Sequence, residues 1–231
     1  MTTEESDAQD RDPEAHGLRL VPALLTMTVV SGLVDAVSYL GLGHVFTANM
    51  TGNVVLLGFS AVGAPGISTG HSLVSLASFL TGAVVGGRVA RRYGGGSRRT
   101  WTRTTSAAEA VLLGVSATIA FASPGASGAR YALIAVTAFA MGLRNTTVHK
   151  LGVRDLTATT VLTTTLTGLA ADSRLGGGTG SRTPRRGASA VALLAGALLG
   201  GWLVLHHGLA VPLLVAALLA GALAATMSGR I

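Results

Sequence analysis

Two charged side chains stand inside otherwise apolar stretches of this sequence. Asp35 lies within the run 20–42, and Arg144 lies within the run 131–148. A charge at such a position is costly in an apolar environment, so it faces a protein interior or a polar cavity and needs a partner. We expect Asp35 and Arg144 to approach each other near the centre of the protein. The pair would either control a polar path or lock the helices as a buried ion pair.

Two short polar segments accompany these charges. Residues 47–53 alternate small and polar side chains, and residues 157–167 are rich in threonine and carry no charge. Hydroxyls and carboxamides can replace the water shell of a small solute, and they can equally let helices pack closely. The residues that we expect along a substrate path are Asp35, Tyr39, Thr47, Asn49, Thr51, Asn53, Arg144, Asn145, Thr159, Thr160 and Thr163.

The composition places these residues in a membrane protein. Of the 231 residues, 49% are hydrophobic and only 12% are charged, whereas about 25% charge is usual in soluble domains. The net charge of +7 joins an acidic tail of −5 over residues 1–17, which we expect to be disordered, to a remainder of +12. This composition disfavours a soluble nucleic-acid-binding protein. The absence of cysteine excludes disulfides and thiolate metal sites, and no cofactor or metal site is predicted.

Eight apolar runs are candidates for the elements that position the polar residues. Because about 20 residues are needed to cross ~30 Å of hydrocarbon, six runs are plausible spans. They are residues 20–42, 71–87, 106–123, 131–148, 188–205 and 209–227. The remaining two runs, 45–62 and 156–171, are shorter and contain the polar segments.

The basic residues favour six crossings. With six spans, 15 basic residues lie on the side of the N terminus and only Arg130 lies opposite, whereas eight spans divide them evenly. Lys and Arg concentrate in cytoplasmic loops. We therefore predict an all-α integral membrane protein with six transmembrane helices, two short re-entrant polar helical segments and both termini in the cytoplasm. The alternative is eight spans in a 4+4 repeat.

An internal repeat supports this organisation. A shift of 110 residues aligns Gly32, Leu33, Asp35, His44, Phe46, Thr47 and Ala48 with Gly142, Leu143, Asn145, Arg154, Leu156, Thr157 and Ala158. We assign a first membrane repeat to residues 18–127 and a second to residues 128–231. Because three spans per repeat is an odd number, the second repeat is inverted, as in many secondary transporters with a substrate site near the midplane.

Two stretches of the sequence carry a family resemblance. The motifs Val34 to Leu40 and Phe46 to Asn53, continued by Gly142 to Asn145, Thr159-Thr160 and Leu166 to Gly168, resemble the YoaK-like family of bacterial inner-membrane proteins. The resemblance implies a multi-pass protein of the bacterial cytoplasmic membrane without an established substrate or catalytic residues. Arg144 stands where the family pattern Gly-Leu-Gln-Asn has glutamine.

Three functions remain open from the sequence. The first is a permease or channel-like transporter of a small solute, and the second is a non-transporting scaffold or accessory subunit. The third, an intramembrane hydrolase, rests on the short pattern Gly125-Ala126-Ser127-Gly128 with His206 and His207 as bases; we do not expect an enzyme.

The remaining charges are interpreted as surface groups. The arginine clusters at 88–103 and 174–186 are expected to bind anionic lipid headgroups rather than nucleic acid. Glu109, near the start of the run 106–123, is expected to snorkel to the inner surface.

Overall fold

The computed structural model describes residues 20–93, 98–123, 125–151, 158–173, 176–177 and 183–226. The acidic tail and repeat positions 154, 156 and 157 lie outside them. The described residues form eight α-helices: α1 (Leu20–Gly41), α2 (Met50–Ala61), α3 (Thr69–Tyr93), α4 (Arg98–Ala122), α5 (Ser127–Leu151), α6 (Ala158–Ala171), α7 (Thr183–His207) and α8 (Ala210–Thr226). The prediction of an all-α protein is confirmed.

Four helices are long and apolar enough to cross a membrane: Pro22–Gly41, Thr69–Arg92, Thr100–Ala122 and Gly187–His207. These correspond to four of the six predicted spans. Of the other two, α5 is long at 25 residues but carries Arg130, Arg144 and Lys150. The second, α8, is apolar but has 17 residues.

The outer surface of the bundle is rich in large apolar side chains. A soluble protein rarely exposes such an area, whereas a protein surrounded by hydrocarbon does so everywhere. The exposed side chains include Val54, Leu80, Val84, Val111, Val191, Leu194, Leu198, Trp202, Leu205 and Leu218. They are distributed over five of the eight helices, and Leu40, Tyr131 and Leu166 are exposed on the other three, so the apolar surface surrounds the bundle rather than forming one patch.

Three helix pairs make the most extensive contacts. They are α1 with α7, α3 with α5, and α4 with α8. The hairpin α4–α5 and the pair α1–α8 follow, while the two short helices lie at the side, α2 against α3 and α6 against α7. The main apolar core lies among α1, α4, α5 and α8, where Val34, Leu113, Ile134 and Leu213 are fully buried.

Glycines allow two of these pairs to approach to backbone contact. A Cβ added to Gly32 in α1 would lie 2.8 Å from the backbone nitrogen of Ala197 in α7. A Cβ added to Gly142 in α5 would lie 2.9 Å from the carbonyl carbon of Phe79 in α3. Small residues at helix crossings permit this packing in membranes. Contacts of this kind fix the relative depth of the paired helices.

The helix ends gather at two opposite ends of the bundle. At one, the Gly41 end, a small cavity is lined by Gly41, Ala120, Ala129 and Leu209. These residues belong to the end of α1, the end of α4, the start of α5 and the turn between α7 and α8. The start of α3 lies there too, because a Cβ on Gly43 would lie 2.8 Å from the ring of His71.

At the opposite end, the Val148 end, the start of α1 and the ends of α5 and α8 meet. They do so in an apolar cluster of Ala23, Leu24, Met27, Val148 and Leu223. The end of α3 packs against the start of α4 through Ala90 and Trp101. Each of the long helices α1, α3, α4 and α5 therefore runs from one end of the bundle to the other.

A methyl group at the α3–α5 crossing tests the backbone contact. We expect Gly142→Ala to lower the thermal unfolding temperature of the detergent-purified protein, because overpacking costs ~1–3 kcal/mol. The matched control is Gly87→Ala in α3, where an added Cβ meets nothing within 4 Å. That variant should match the parent protein or exceed it, since alanine favours a helix by about 0.5–1 kcal/mol. Equal unfolding temperatures for both variants would contradict the close approach.

Candidate functional site

Asp35 holds the chain where it turns from α1 into α2. Its Oδ1 accepts hydrogen bonds from the backbone N–H groups of Thr47 at 3.2 Å and Ala48 at 2.8 Å. These N–H groups precede α2 and therefore have no helical acceptor of their own. An unpaired backbone group away from water is costly, so the carboxylate compensates for the break between the two helices.

A second set of side chains holds the same turn from the other side. The side chain of Asn53 accepts from the Phe46 N–H at 2.9 Å and donates to the Phe46 carbonyl at 2.5 Å. Ser75 in α3 donates to the same carbonyl at 2.6 Å and accepts from Asn53 at 3.0 Å. Asn53 and Ser75 are buried. The side chain of Asn53, predicted as a path residue, thus forms hydrogen bonds with the backbone of the turn.

The turn itself depends on Gly43. Its φ of 92° lies in the left-handed region, which glycine adopts without steric penalty. The N–H of His44 then reaches back to the Tyr39 carbonyl at 3.2 Å, a bond that is typical of helix termination at a left-handed residue. The chain leaves α1 at this point, which brings residues 46–49 back beside Asp35.

Arg144 is the largest fully buried side chain of the described residues, with 1% exposure. Its guanidinium donates to the Glu109 carboxylate at 3.1 Å, to the Met27 carbonyl at 2.8 Å and to the Ser31 hydroxyl. Glu109 is itself 2% exposed. The ion pair therefore joins α4 and α5, and the remaining guanidinium donors join both to α1.

This arrangement corrects two predictions. The sequence predicts Asp35 as the partner of Arg144, but the structure pairs Arg144 with Glu109. The sequence also predicts that Glu109 snorkels to the surface, and this is wrong because Glu109 is buried. The run of apolar residues begins at 106, whereas α4 begins at Arg98. Glu109 consequently lies well inside the helix, at the depth of Arg144.

A cavity of about 650 Å³ lies between α1, α2, α6 and α7. It is a groove, partly open to the outside. The polar residues that line it are Ser31, Asp35, Tyr39, Asn49 and Thr51, with Thr163 from α6. The apolar residues that line it are Phe46, Ala48, Val55, Leu56, Leu162 and Leu193, and Gly52 completes the lining. The two short helices therefore reach the same space.

The predicted path residues divide into three groups. Asp35, Tyr39, Asn49, Thr51 and Thr163 line the cavity. Thr47, Asn53, Arg144 and Asn145 are buried outside its lining. The side chains of Thr159 and Thr160 lie outside the described part of the structure. Ser31, which the path prediction omits, both lines the cavity and accepts from Arg144.

The residues of the hydrolase alternative are not joined by hydrogen bonds in the structure. Ser127 is exposed at the start of α5. His206 is also exposed, bonds the Trp202 carbonyl through Nδ1 at 2.8 Å and stacks on the indole ring. No hydrogen bond is recorded between Ser127 and either His206 or His207, all three of which are described. No group of three or more His, Asp or Glu that could hold a metal occurs among the described residues.

The apolar helices, the exposed apolar surface and the buried charges together define a multi-pass transmembrane protein. The chain belongs to the family described as protein of unknown function (DUF1275), whose model matches residues 23–226. The family resemblance read from the sequence motifs is thereby confirmed.

A curated relative agrees with this assignment. The chain is 35% identical over 152 residues to the UPF0700 transmembrane protein YoaK of Bacillus subtilis (strain 168). The match covers 64% of this chain and 65% of that protein, slightly less than two thirds of the relative's length. No solved structure matches this chain.

The buried ion pair gives a direct test of the α4–α5 junction. We expect Glu109→Gln to destabilise the protein by ~3–5 kcal/mol, because a guanidinium then remains buried without a carboxylate. Adding Arg144→Gln should recover part of this loss, since it removes the unpaired charge. Chemical or thermal unfolding in detergent measures both effects.

The control is Arg103→Gln, which removes an exposed charge from the same helix. A surface change of this kind shifts stability by about 0.5 kcal/mol or less. If the Glu109 and Arg144 changes were simply additive in the double variant, the two side chains would not be coupled.

Proposed function

We propose that this protein is a permease or channel-like transporter of a small solute, with the cavity between α1, α2, α6 and α7 as its substrate site. One observation carries the proposal. The two short helices, which come from different halves of the chain, converge on a single cavity beside Asp35. Short or broken helices at corresponding positions in two halves characterise the substrate sites of many secondary transporters.

The proposed topology has six transmembrane helices and two re-entrant helices, α2 and α6. The end of α1 and the start of α3 both lie at the Gly41 end, so the connection through α2 leaves and returns on one side. With 12 residues, α2 is about 18 Å long, too short for ~30 Å of hydrocarbon. α5 ends at the Val148 end, and α6 enters from there.

Contacts between helices support an inverted repeat. In α1, Gly32 packs against Leu193 and Ala197 of α7. In α5, Gly142 packs against Phe79 and Ala83 of α3. Gly142 follows Gly32 by 110 positions, and each α7 residue follows its α3 counterpart by 114. The same offsets relate two further contacts: Gly196 of α7 packs against Val29 of α1, and Gly82 of α3 packs against Phe139 of α5.

The orientation follows from the charges. At the Val148 end, exposed basic side chains include Arg91 and Arg92 in α3 and Lys150 in α5. At the Gly41 end, Arg130 is the exposed arginine of α5. Basic residues mark the cytoplasmic side. We therefore place the Val148 end and both termini in the cytoplasm, and the Gly41 end outside.

The alternative, a non-transporting scaffold, is favoured by the glycine contacts, which serve packing alone. It does not account for Asn49 and Thr51, whose side chains are exposed at the cavity instead of bonding another helix. In a scaffold the polar side chains of α2 would form hydrogen bonds within the protein, as that of Asn53 does. The transporter is therefore the better account.

Cysteine labelling tests the topology, because the chain contains no cysteine. In the proposed topology, single cysteines at Ser6 and Val62 react with a membrane-impermeant maleimide from opposite sides. Cysteines at Lys150 and Ser173 react from the same side. Eight spans reverse both relations whatever the orientation of the N terminus. Ser6 and Val62 on one side would thus refute a re-entrant α2.

Flux through proteoliposomes tests transport. A panel of ions, amino acids, sugars and amines should include a solute that the parent protein passes. Val55→Trp should remove most of this flux, since Val55 lines the cavity and an indole at this position would narrow it.

The matched control is Val54→Trp. Val54 is the preceding residue of α2, is exposed and lies outside the cavity lining, so this variant should retain the parent flux. If no solute on the panel shows flux that depends on the protein and is blocked by Val55→Trp, the scaffold becomes the better account.

A further inference from the structure

The wall of the cavity carries one charged side chain. Among its lining residues, Asp35 is the single acidic group, and no Lys, Arg or His lines the cavity within the described part of the chain. The polar groups near Asp35 are hydroxyls and an amide, from Ser31, Tyr39, Asn49 and Thr51. An occupant of this space therefore meets a carboxylate with no cationic side chain beside it at the wall.

The nearest buried cation is neutralised by another group. Arg144 lies behind Ser31, is 1% exposed and forms its salt bridge with Glu109. All the bonds recorded for its guanidinium go to Glu109, Ser31 and Met27. Glu109 balances the charge of Arg144, so the charge of Asp35 is available to an occupant of the cavity.

Asp35 also has acceptor capacity to spare. A carboxylate has about four lone-pair positions; the backbone N–H groups of Thr47 and Ala48 occupy two directions at Oδ1, and the N–H of Asn49 also interacts with the carboxylate. Because Asp35 itself lines the cavity, the remaining capacity is available to a donor inside it. An ammonium group, which has only donors and a positive charge, matches this requirement.

The rest of the wall suits an apolar body. Val55, Leu56, Leu162 and Leu193 contribute aliphatic surface to the lining. Tyr39 stacks on Phe46 with ring centroids 5.0 Å apart, and both rings line the cavity. Aromatic faces attract cations and apolar groups alike. The volume of about 650 Å³ lies within the ~300–1,000 Å³ of pockets for small organic ligands and greatly exceeds the needs of a bare metal ion.

We infer that the cavity binds an organic ammonium ion with an apolar body, its ammonium group on Asp35 and its apolar part against the aliphatic lining residues and the Tyr39–Phe46 rings. This inference rests on the proposed function and names the substrate class of the same site. Four properties of the cavity lead to it. The charge of Asp35 excludes anions, and its need for a donor excludes solutes that only accept hydrogen bonds. The apolar lining excludes sugars, and the volume excludes bare metal ions.

Three matched probes test the inference on the purified full chain in detergent. They are 2-phenylethylammonium, the neutral 2-phenylethanol and the anion phenylacetate, which share a phenyl group and differ in charge. We expect saturable binding of 2-phenylethylammonium. The alcohol should bind about tenfold or more weakly, because interaction with a charged group is lost, and phenylacetate should not bind.

Asp35→Asn separates charge from structure. The amide oxygen of asparagine can still accept from Thr47 and Ala48, so the turn is retained while the charge is removed. This variant should bind 2-phenylethylammonium and 2-phenylethanol with similar affinity. The second pair, Val55→Trp and Val54→Trp, keeps the test decisive if Asp35→Asn fails to fold: the first should lose ammonium binding and the second should keep it.

The outcomes separate this inference from the transporter proposal. Binding of phenylacetate as tight as that of the ammonium probe, or ammonium binding unchanged by Asp35→Asn and by Val55→Trp, would overturn the inference. A sugar or anion that crosses proteoliposomes in a manner blocked by Val55→Trp, without ammonium binding, would overturn it and leave the transporter intact. Ammonium binding at Asp35 without flux of any solute would support the inference and overturn transport.

Discussion

The bond between Asp35 and the backbone of Thr47 and Ala48 is the constraint on which the arrangement of this protein depends. Hydrocarbon offers no partner to a backbone N–H or C=O, so every polar group at membrane depth must be satisfied within the protein. A continuous helix meets this requirement by itself, but a chain that turns back does not. Asp35, Asn53 and Ser75 supply the missing partners for the turn between α1 and α2. The turn places Phe46, Ala48 and Asn49 in the lining of the cavity beside α1.

The ion pair of Arg144 and Glu109 performs a different task. Pairing two buried charges contributes little net stability compared with apolar packing, but a guanidinium with several donors fixes geometry. Arg144 connects α5 to α4 through Glu109 and to α1 through Met27 and Ser31. Since Ser31 also lines the cavity, the position of the α1 wall is tied to the junction of α4 and α5. A buried charge pair thus serves to position helices around the site.

The sequence predicts the positions of the helices better than it predicts which side chains of different helices contact each other. Uncharged runs, the polar character of 45–62 and the isolation of Asp35 are local properties, so the helices and the family follow from them, and five of the eleven predicted path residues line the cavity. The partner of Arg144 is not local, because it depends on which helix faces of α4 and α5 meet. The burial of Glu109 depends on a helix boundary that the hydropathy pattern does not give: α4 begins at Arg98 rather than at 106. A turn count from the true start would have placed Glu109 in the interior.

The polar residues of the membrane region fall into two classes, and the distinction bears on function. Asn53 and Ser75 satisfy each other and the backbone, and are buried. Asn49, Thr51 and Thr163 are exposed at the cavity instead. A protein built only for packing needs the first class, because unsatisfied polar groups in an apolar medium are destabilising. The second class is stable only with water or a polar solute in contact with it. The lining of the cavity therefore combines exposed polar side chains from both short helices with the carboxylate of Asp35.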